Sequence, residues 1–347
     1  MESITEISIE TSKLAAIIFL SILGFGVSMI LTPIYTTIAY KYEWWKRPRT
    51  TALTGEKATE FQKLHAAKHR RHIPTMAGLI MLVGVALVTL VFNLSREQTW
   101  LPLSLMVGAG LVGLLDDYIN IKGDGTGVAG LRSKMKFFLI GAVAFAGGWW
   151  FFDKLDITSF YMPGIGDVAL GWLMIPLFML VVISTANAVN ISDGLDGLAG
   201  GLLATSFGAF AVIALLQGRY GIAAFCMTVV GALLAYTWFN VFPARFFMGD
   251  VGSFSLGTAL GVVAMLTNTL VLLPLIGLVF VAEAGSVILQ TISKKTRGGK
   301  KIFRISPVHH HFEAIGWPET KVTMRFWIVG QVVAVLGLVA AIYWGFV

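Results

Sequence analysis

Long apolar runs with few charged residues dominate this sequence and restrict what it can fold into. Ten runs approach the roughly 20 apolar residues that cross a bilayer. They cover 14–39, 75–94, 101–119, 137–152, 168–189, 198–217, 221–239, 251–268, 270–293 and 325–346. Only 13% of the residues are charged, whereas soluble chains average about 25%. The sequence therefore predicts an all-α, polytopic integral membrane protein with about ten transmembrane helices, in a single domain over residues 1–347.

Positive charge is distributed unequally between the two sides of this predicted bundle. The segments 40–74, 116–136, 190–197, 240–250 and 294–325 carry 22 of the 26 Lys and Arg residues. The other side has Lys13, Arg96, Lys154 and Arg219. Because cytoplasmic loops are enriched in Lys and Arg, the first set is predicted to be cytoplasmic and both termini to lie outside. The net charge of +7 then needs no nucleic-acid partner.

Acidic residues collect at span ends on the predicted cytoplasmic side. Intramembrane carboxylates are costly, so such residues are functional candidates. The five are Asp116, Asp117, Asp193, Asp196 and Asp250. With no cysteine near them, their oxygen ligands favour Mg²⁺, or Mn²⁺, over zinc. Neighbouring helical residues diverge by about 100°, so Asp116 and Asp117 are expected to do different tasks, one at a metal and one at a proton or second substrate.

Three other sequence features have distinct interpretations. The run His309–His311 lacks zinc-site spacing and favours phosphate contact or proton handling. Lys136 is a candidate phosphate ligand, whereas Arg132 and Lys134 fit membrane anchoring. The GxGxxG match at 108–113 lies inside a span and predicts helix packing, not a nucleotide loop. The outer segment 153–167 is predicted to be a loop with a short hairpin around Pro163 and Gly164.

Four motifs together resemble the phospho-N-acetylmuramoyl-pentapeptide transferase family of the polyprenyl-phosphate N-acetylhexosamine-1-phosphate transferase superfamily. They occupy 115–118, 187–199, 243–253 and 306–313. The unbroken triple histidine and the stretch 280–290 are similar to the muramoyl branch. The resemblance implies transfer from UDP-N-acetylmuramoyl-pentapeptide to undecaprenyl phosphate, with lipid I and UMP as products and Mg²⁺ as cofactor. It also implies a multi-pass protein in the bacterial inner membrane, in contact with membrane lipids, whose site faces the cytoplasm.

The same resemblance implies roles for individual residues. Asp250 corresponds to the principal Mg²⁺ ligand and Asp117 to a second one, while Asp116 corresponds to the group that deprotonates or orients the lipid phosphate. His309 corresponds to a catalytic histidine near the phosphates. The implied substrate contacts are Thr75, Lys136, Asn187, Asn190, Asp193, Gly194, Leu195, Asp196, Asn240, Phe247, His309, His310 and His311. Among them, Phe247 corresponds to an aromatic stacked on uracil and Asn240 to a polar group in the same nucleoside pocket.

Several alternatives stay open at the level of sequence. A sister transferase that uses UDP-N-acetylglucosamine is the nearest, and the triple histidine argues against it. An ion-coupled transporter would place its acids near span centres. Direct displacement and a covalent aspartyl intermediate need the same carboxylates, and a homodimer is one candidate assembly. Arg70 stands where the family usually has a lysine, which puts that contact in doubt. A lipid groove is expected beside the eighth and ninth runs.

Overall fold

The computed structural model describes residues 2–45, 72–123 and 130–347, and most of these residues are helical. Arg70 therefore lies outside the described residues. The helices are α1 Glu2–Lys41, α2 Gly78–Phe92, α3 Trp100–Lys122, α4 Ser133–Asp153, α5 Met174–Ser192, α6 Leu198–Leu216, α7 Tyr220–Asn240, α8 Gly249–Leu266, α9 Leu273–Ile276, α10 Leu278–Thr296, α11 Val308–Ala314 and α12 Glu319–Tyr343. One-turn 3-10 helices at Gly171–Leu173 and Leu270–Leu272 precede α5 and α9.

The helices confirm a polytopic all-α membrane fold. Within the described ranges, eight helices are long and apolar enough to cross a bilayer. The apolar helices Leu270–Ile276 and Leu278–Thr296 meet at an angle of 81°, and this bent pair makes a ninth crossing if it is counted as one span. The run 270–293, predicted as one span, is thus broken at Gly277. Large apolar side chains such as Phe138 and Trp238 are exposed, as expected for surfaces that face lipid.

α2 is shorter than its apolar run and has only 15 residues. The backbone of residues 74–77, which precede this helix, pairs with another segment instead of continuing the helix. Pro74 accepts a hydrogen bond from the backbone of Phe247 at 2.8 Å, and the backbone N–H of Ala77 donates to Phe247 at 3.0 Å. Because this backbone pairs with the loop before α8, the helix begins only at Gly78. The pairing fixes the start of α2 against the start of α8.

α8 is the central helix of the bundle, and 94% of its span is buried inside the protein. It packs against α2, α3, α5 and α6. Small residues allow these close approaches, as is common between membrane helices. A Cβ at Gly113 would collide with the backbone carbonyl of Asp250, and one at Gly110 would lie 2.7 Å from Leu82. The GxGxxG match is therefore a packing surface, as predicted.

The expected outer hairpin is present. Strands β1 Ser159–Met162 and β2 Gly166–Ala169 pair in antiparallel register, with Phe160 opposite Val168. Gly164 and Gly166 both have positive φ, a conformation that favours glycine, and they make the turn between the strands.

Candidate active site

Three carboxylates from two distant segments meet where α3 ends and α8 begins. Asp116 and Asp117 lie near the end of α3, and Asp250 is the second residue of α8. One oxygen from each carboxylate lies within 4.8 Å of the others. The absence of a side chain at Gly113 permits this meeting, because α3 touches the backbone of Asp250 there. Of the five acids noted in the sequence, these three form the cluster.

Lys136 supplies positive charge to this cluster. Its Nζ lies 3.0 Å from Asp116 Oδ2 and 2.7 Å from Asp250 Oδ2, so it bridges helices α3 and α8 from the first turn of α4. Arg132 and Lys134 are exposed, consistent with the anchoring interpretation. We refer to Asp116, Asp117, Asp250 and Lys136 as the acid cluster.

The adjacent acids have different partners, as their divergence on a helix predicts. Asp116 Oδ1 accepts the backbone N–H of Leu131 at 2.7 Å. Asp117 Oδ2 accepts the backbone N–H of Val251 at 3.1 Å, at the amino-terminal end of α8. The helix dipole favours negative charge at such an end. Asp117 therefore belongs to the α8 side of the acid cluster, and Asp116 belongs to the Lys136 side.

The donor set of the acid cluster fits a hard divalent cation. Its ligand atoms are carboxylate oxygens, which suit Mg²⁺. Thr75 Oγ1 adds a buried hydroxyl that has no hydrogen-bond partner among the described residues. Gly249, with φ of +74°, faces both this hydroxyl and Asp117, since a Cβ there would lie 2.8 Å from Thr75 Oγ1 and collide with Asp117 Oδ2. The position therefore requires glycine, and the oxygens around it could hold the ion.

The glycine-rich loop after α5, residues 193–197, lies beside the acid cluster. Asn190 Nδ2 donates to Ser253 Oγ at 2.8 Å, and Ser253 is one helical turn beyond Asp250. Asp193 caps the end of α5 and is partly exposed. Asn187 is exposed and its amide donates to Ile183 of its own helix at 2.7 Å. The polar end of α5 therefore contacts the first turns of α8, which also present Asp250.

Asp196 and Asn240 connect this loop to the segment before α8. Asp196 Oδ2 accepts the backbone N–H of Ala244 at 2.9 Å. Asn240 accepts from the backbone of Gly197 at 2.9 Å and donates to Phe246 at 2.8 Å. Both side chains are almost fully buried. The structure thus gives them backbone partners, in addition to the substrate contact that the resemblance implies for each.

The three histidines occupy different environments on α11. His309 is fully buried; its Nδ1 lies 2.8 Å from Glu283 Oε2, and its ring packs directly on Gly194. The His310 ring is next to it, with ring centres 4.1 Å apart. His311 accepts the backbone N–H of Arg304 at 3.2 Å. His309 therefore faces the glycine-rich loop, whereas His311 holds the backbone of the segment that leads into α11.

Burial lowers the pKa of His310 to about 4, and the neighbouring His309 acts in the same direction. Glu313, whose Oε2 lies 2.7 Å from His310 Nδ1, opposes the shift. His310 is consequently neutral at neutral pH.

The remaining predicted contacts surround the same region. Phe247 is half-buried in the segment that pairs with Pro74, directly before Met248 and Gly249. Leu195 is buried in the glycine-rich loop. The backbone N–H of the neighbouring Asp196 donates a hydrogen bond to Glu319 Oε1 at 2.7 Å. The predicted residues therefore lie in the acid cluster, at Thr75 beside it, at the end of α5, in the glycine-rich loop 193–197, at the end of α7 and in the segment that follows it, or in α11.

Two site-forming residues had no predicted role. Glu283 is fully buried against His309, and Ser253 links Asn190 to α8. Glu283 was recognised only as part of the family-like stretch 280–290; a lone acid inside an apolar run was the available signal. Ser253 ends the motif 243–253, but the sequence assigns it no role of its own.

Residues 99–268 match the model of a family described as Glycosyl transferase family 4. The phospho-N-acetylmuramoyl-pentapeptide-transferase of Geobacillus sp. (strain WCH70) is 40% identical over 326 residues, which cover 91% of this chain and 95% of that protein. Its namesake in Bacillus mycoides (strain KBAB4) is 40% identical over 328 residues, with 92% and 96% covered. That of Chloroflexus aggregans (strain MD-66 / DSM 9485) is 40% identical over 289 residues, 78% of either chain.

This likeness extends over the acid cluster, the glycine-rich loop and the buried helices that hold them in place. It is found in a chain whose apolar helices identify a membrane protein. The chain belongs to the phospho-N-acetylmuramoyl-pentapeptide transferase family, membrane-embedded glycosyl-1-phosphate transferases of peptidoglycan synthesis.

Proposed function

We propose that this chain transfers phospho-N-acetylmuramoyl-pentapeptide from its UDP conjugate to undecaprenyl phosphate at the cytoplasmic face of the bacterial inner membrane. The products are lipid I and UMP. The observation that carries the proposal is the meeting of Asp116, Asp117, Asp250 and Lys136 in a chain 40% identical to transferases of that name. Its placement at the inner face rests on the 22-to-4 distribution of Lys and Arg.

The proposed reaction exchanges one pyrophosphate linkage for another. An oxygen of the acceptor phosphate attacks the sugar-linked phosphorus of the donor. The bond from that phosphorus to the bridging oxygen breaks, and UMP leaves with that oxygen. The exchange needs no ATP and is reversible. Both reactants are anions, so catalysis depends mainly on positioning and on neutralising charge.

The acid cluster suits these requirements. Asp117 and Asp250, with Thr75 beside them, would hold Mg²⁺, which when bound supplies positive charge to the phosphates. Lys136, already between Asp116 and Asp250, presents an ammonium to the same phosphates. Asp116, on the Lys136 side, accepts the proton of the acceptor phosphate or orients it. In these assignments Asp117 binds the metal and Asp116 handles the proton. The different hydrogen-bond partners of the two residues favour this division.

The position of the acids argues against the transporter alternative. A proton or ion relay places its acids near the centres of membrane spans. Here Asp116 and Asp117 lie in the last two turns of α3, and Asp250 lies in the first turn of α8. A site at helix ends is accessible to a water-soluble nucleotide.

An assay of purified protein tests the proposal directly. The chain is incubated in detergent with undecaprenyl phosphate, Mg²⁺ and either UDP-N-acetylmuramoyl-pentapeptide or UDP-N-acetylglucosamine. We expect UMP release from the muramoyl donor alone, and its loss with EDTA. Release from the N-acetylglucosamine donor alone would favour the sister transferase. Ion flux in liposomes without any UMP would favour a transporter.

Glu283 is expected to position His309 for this reaction. When the carboxylate of Glu283 accepts the Nδ1 proton of His309, the lone pair of the imidazole lies on Nε2, beside Gly194. We expect Glu283→Gln to lower kcat by roughly 10- to 100-fold, as is typical when the partner of a functional histidine is lost. The KM of the donor should change less than about twofold, because no substrate contact is removed.

The control for this variant is Gln290→Leu on the same helix. Gln290 is also buried, but it binds the backbone at Ile302 and Phe303 instead of a histidine. We expect it to lower the unfolding temperature without a comparable fall in kcat of the remaining folded enzyme. A Glu283→Gln enzyme with normal kcat would contradict the positioning role.

A further inference from the structure

Three side chains of α12 bind the backbone of the glycine-rich loop from successive helical turns. Glu319 Oε1 accepts the N–H of Asp196 at 2.7 Å, and Thr323 Oγ1 donates to the carbonyl of the same residue at 3.2 Å. One turn further along α12, Trp327 Nε1 donates to the carbonyl of Gly197 at 3.1 Å. Residues spaced by four share one face of a helix. We call Glu319, Thr323 and Trp327 the α12 ladder.

The four backbone polar groups of Asp196 and Gly197 all have a side-chain partner. The ladder binds three of them, and Asn240 Oδ1 accepts the fourth, the N–H of Gly197, at 2.9 Å. Gly197 has a φ of +78° and leads directly into α6. Buried backbone groups that are bound by side chains, instead of by a helix or a sheet, depend on those side chains for their conformation. The shape of this half of the loop is therefore set by α12 and Asn240.

The ladder is packed tightly against the structure that it holds. α12 lies along α6, which follows the loop in sequence. A Cβ at Gly201 would collide with the Trp327 indole, and one at Gly197 would lie 3.4 Å from the same ring. Thr323 is also buried. Because the interior is close-packed there, the ladder is a fixed support for the loop.

The other half of the loop faces the acid cluster and the histidines. Gly194 lies against the His309 ring, and Asp193 is partly exposed, whereas residues 195–197 are buried. The carboxylate of Asp193 and the backbone at Gly194 are polar groups that suit the hydroxyl and N–H groups of a nucleotide-sugar. A hydrocarbon chain offers no such groups. The exposed half of the loop therefore suits the donor of the proposed reaction better than its lipid acceptor.

We propose that the α12 ladder holds the glycine-rich loop in the conformation that binds the nucleotide-sugar donor. This inference rests on the proposed function, because the donor is a substrate of the same reaction. The three side chains are positioning residues, since they act on the donor through the loop. When the loop is ordered before the donor arrives, the cost of ordering it is not subtracted from binding. Loosening the ladder should therefore weaken donor binding and leave acceptor binding unchanged.

Substitutions that keep the shape of the side chain test the ladder. Thr323→Val removes the hydroxyl, and Trp327→Phe removes the indole N–H. We expect each to raise the KM for UDP-N-acetylmuramoyl-pentapeptide about fivefold, the effect of one lost hydrogen bond. The KM for undecaprenyl phosphate should change less than about twofold.

The chain offers a matched control for each of these substitutions. Thr228→Val also removes a buried hydroxyl, but that hydroxyl donates to Ala224 of its own helix, α7. Trp150→Phe removes an indole N–H that has no hydrogen-bond partner among the described residues. Neither residue contacts the loop through its polar group, so both controls should keep the donor KM within about twofold of wild type.

Glu319 allows a rescue experiment. Glu319→Met removes the acceptor of the Asp196 N–H and should raise the donor KM about tenfold, because hydrogen bonds to charged groups are stronger than neutral ones. Glu319→Gln keeps an amide oxygen in the same place and should return the donor KM to within about threefold of wild type. Hydrogen exchange gives a readout apart from activity. The amides of residues 194–197 should exchange about tenfold faster in Glu319→Met than in wild type, and bound donor should slow them again.

The outcomes separate the ladder from the reaction. If wild-type protein releases no UMP, the proposed function fails, and the exchange rates still report whether the ladder orders the loop. If wild type is active but the ladder variants match Thr228→Val and Trp150→Phe, or raise both KM values equally, the positioning role is wrong. Unchanged exchange at 194–197 in Glu319→Met, or a Glu319→Gln enzyme as impaired as Glu319→Met, would also overturn it.

Discussion

Replacing Asp250 with Asn is expected to abolish detectable turnover, a loss of at least about 10³-fold, while the helical fold is retained. Asn keeps the size of the side chain but removes the charge that faces Lys136 at 2.7 Å and that is assigned to the metal. The reaction joins two anions, so loss of the group that holds the neutralising cation affects the transition state directly. The stability cost at the first turn of α8 is expected to be only about 1 kcal/mol.

Metal binding can be measured apart from activity. Mn²⁺ electron paramagnetic resonance of purified protein should show a bound ion in wild type and weaker binding in Asp250→Asn. Asp167→Asn, in the exposed outer hairpin, is the control and should match wild type in both assays. An Asp250→Asn protein with near wild-type turnover in Mg²⁺ would refute the metal assignment.

Replacing Lys136 with Met has the second-largest expected effect. Lys136 is the cation between Asp116 and Asp250, and its side chain is 24% exposed. Its loss removes a positive charge from the phosphates and leaves the carboxylates to repel each other. We expect kcat/KM to fall by about 10²–10³-fold. Lys136→Arg should recover only part of this, because a planar guanidinium does not fit the geometry of an ammonium.

The effect of Lys136→Met on cation binding distinguishes its catalytic role from general damage. Lys136→Met removes the ammonium that faces Asp116 and Asp250, so Mg²⁺ should raise the unfolding temperature more than it does in wild type. Lower turnover together with a larger Mg²⁺-induced stabilisation is the expected pair of results. A variant that is inactive and insensitive to Mg²⁺ would indicate collapse of the site instead.

The membrane fold and the family were predictable because their signals are local. Each of the ten apolar runs coincides with a helix or a bent pair, and the family resemblance is confirmed by relatives 40% identical. The packing interpretation of residues 108–113 also followed from their place inside a span. Helix irregularities were not predictable: α2 begins late because residues 74–77 pair with a distant loop, and the ninth run bends at Gly277.

The composition of the site was predictable, but its internal contacts were not. Acids at span ends on one predicted side indicated a group of five carboxylates, of which the structure brings Asp116, Asp117 and Asp250 into one cluster. Their pairing with Lys136 depends on the angle at which α4 meets α3, which hydropathy does not encode. Nor does it encode the contact between Glu283 and His309, 26 residues apart. The roles of the predicted substrate contacts and the orientation of the termini stay predictions.

The hydrogen bond from Val251 to Asp117 spans 134 residues of sequence, and this distance has a consequence for biosynthesis. A nascent chain that has inserted α3 possesses two of the acids but not the third. The catalytic centre can form only after α8 has been translated and has entered the middle of a bundle already present in the bilayer. Fragments that end before residue 250 should be inert however well their first helices insert, and two fragments divided in the loop 217–219 should regain activity only when co-expressed.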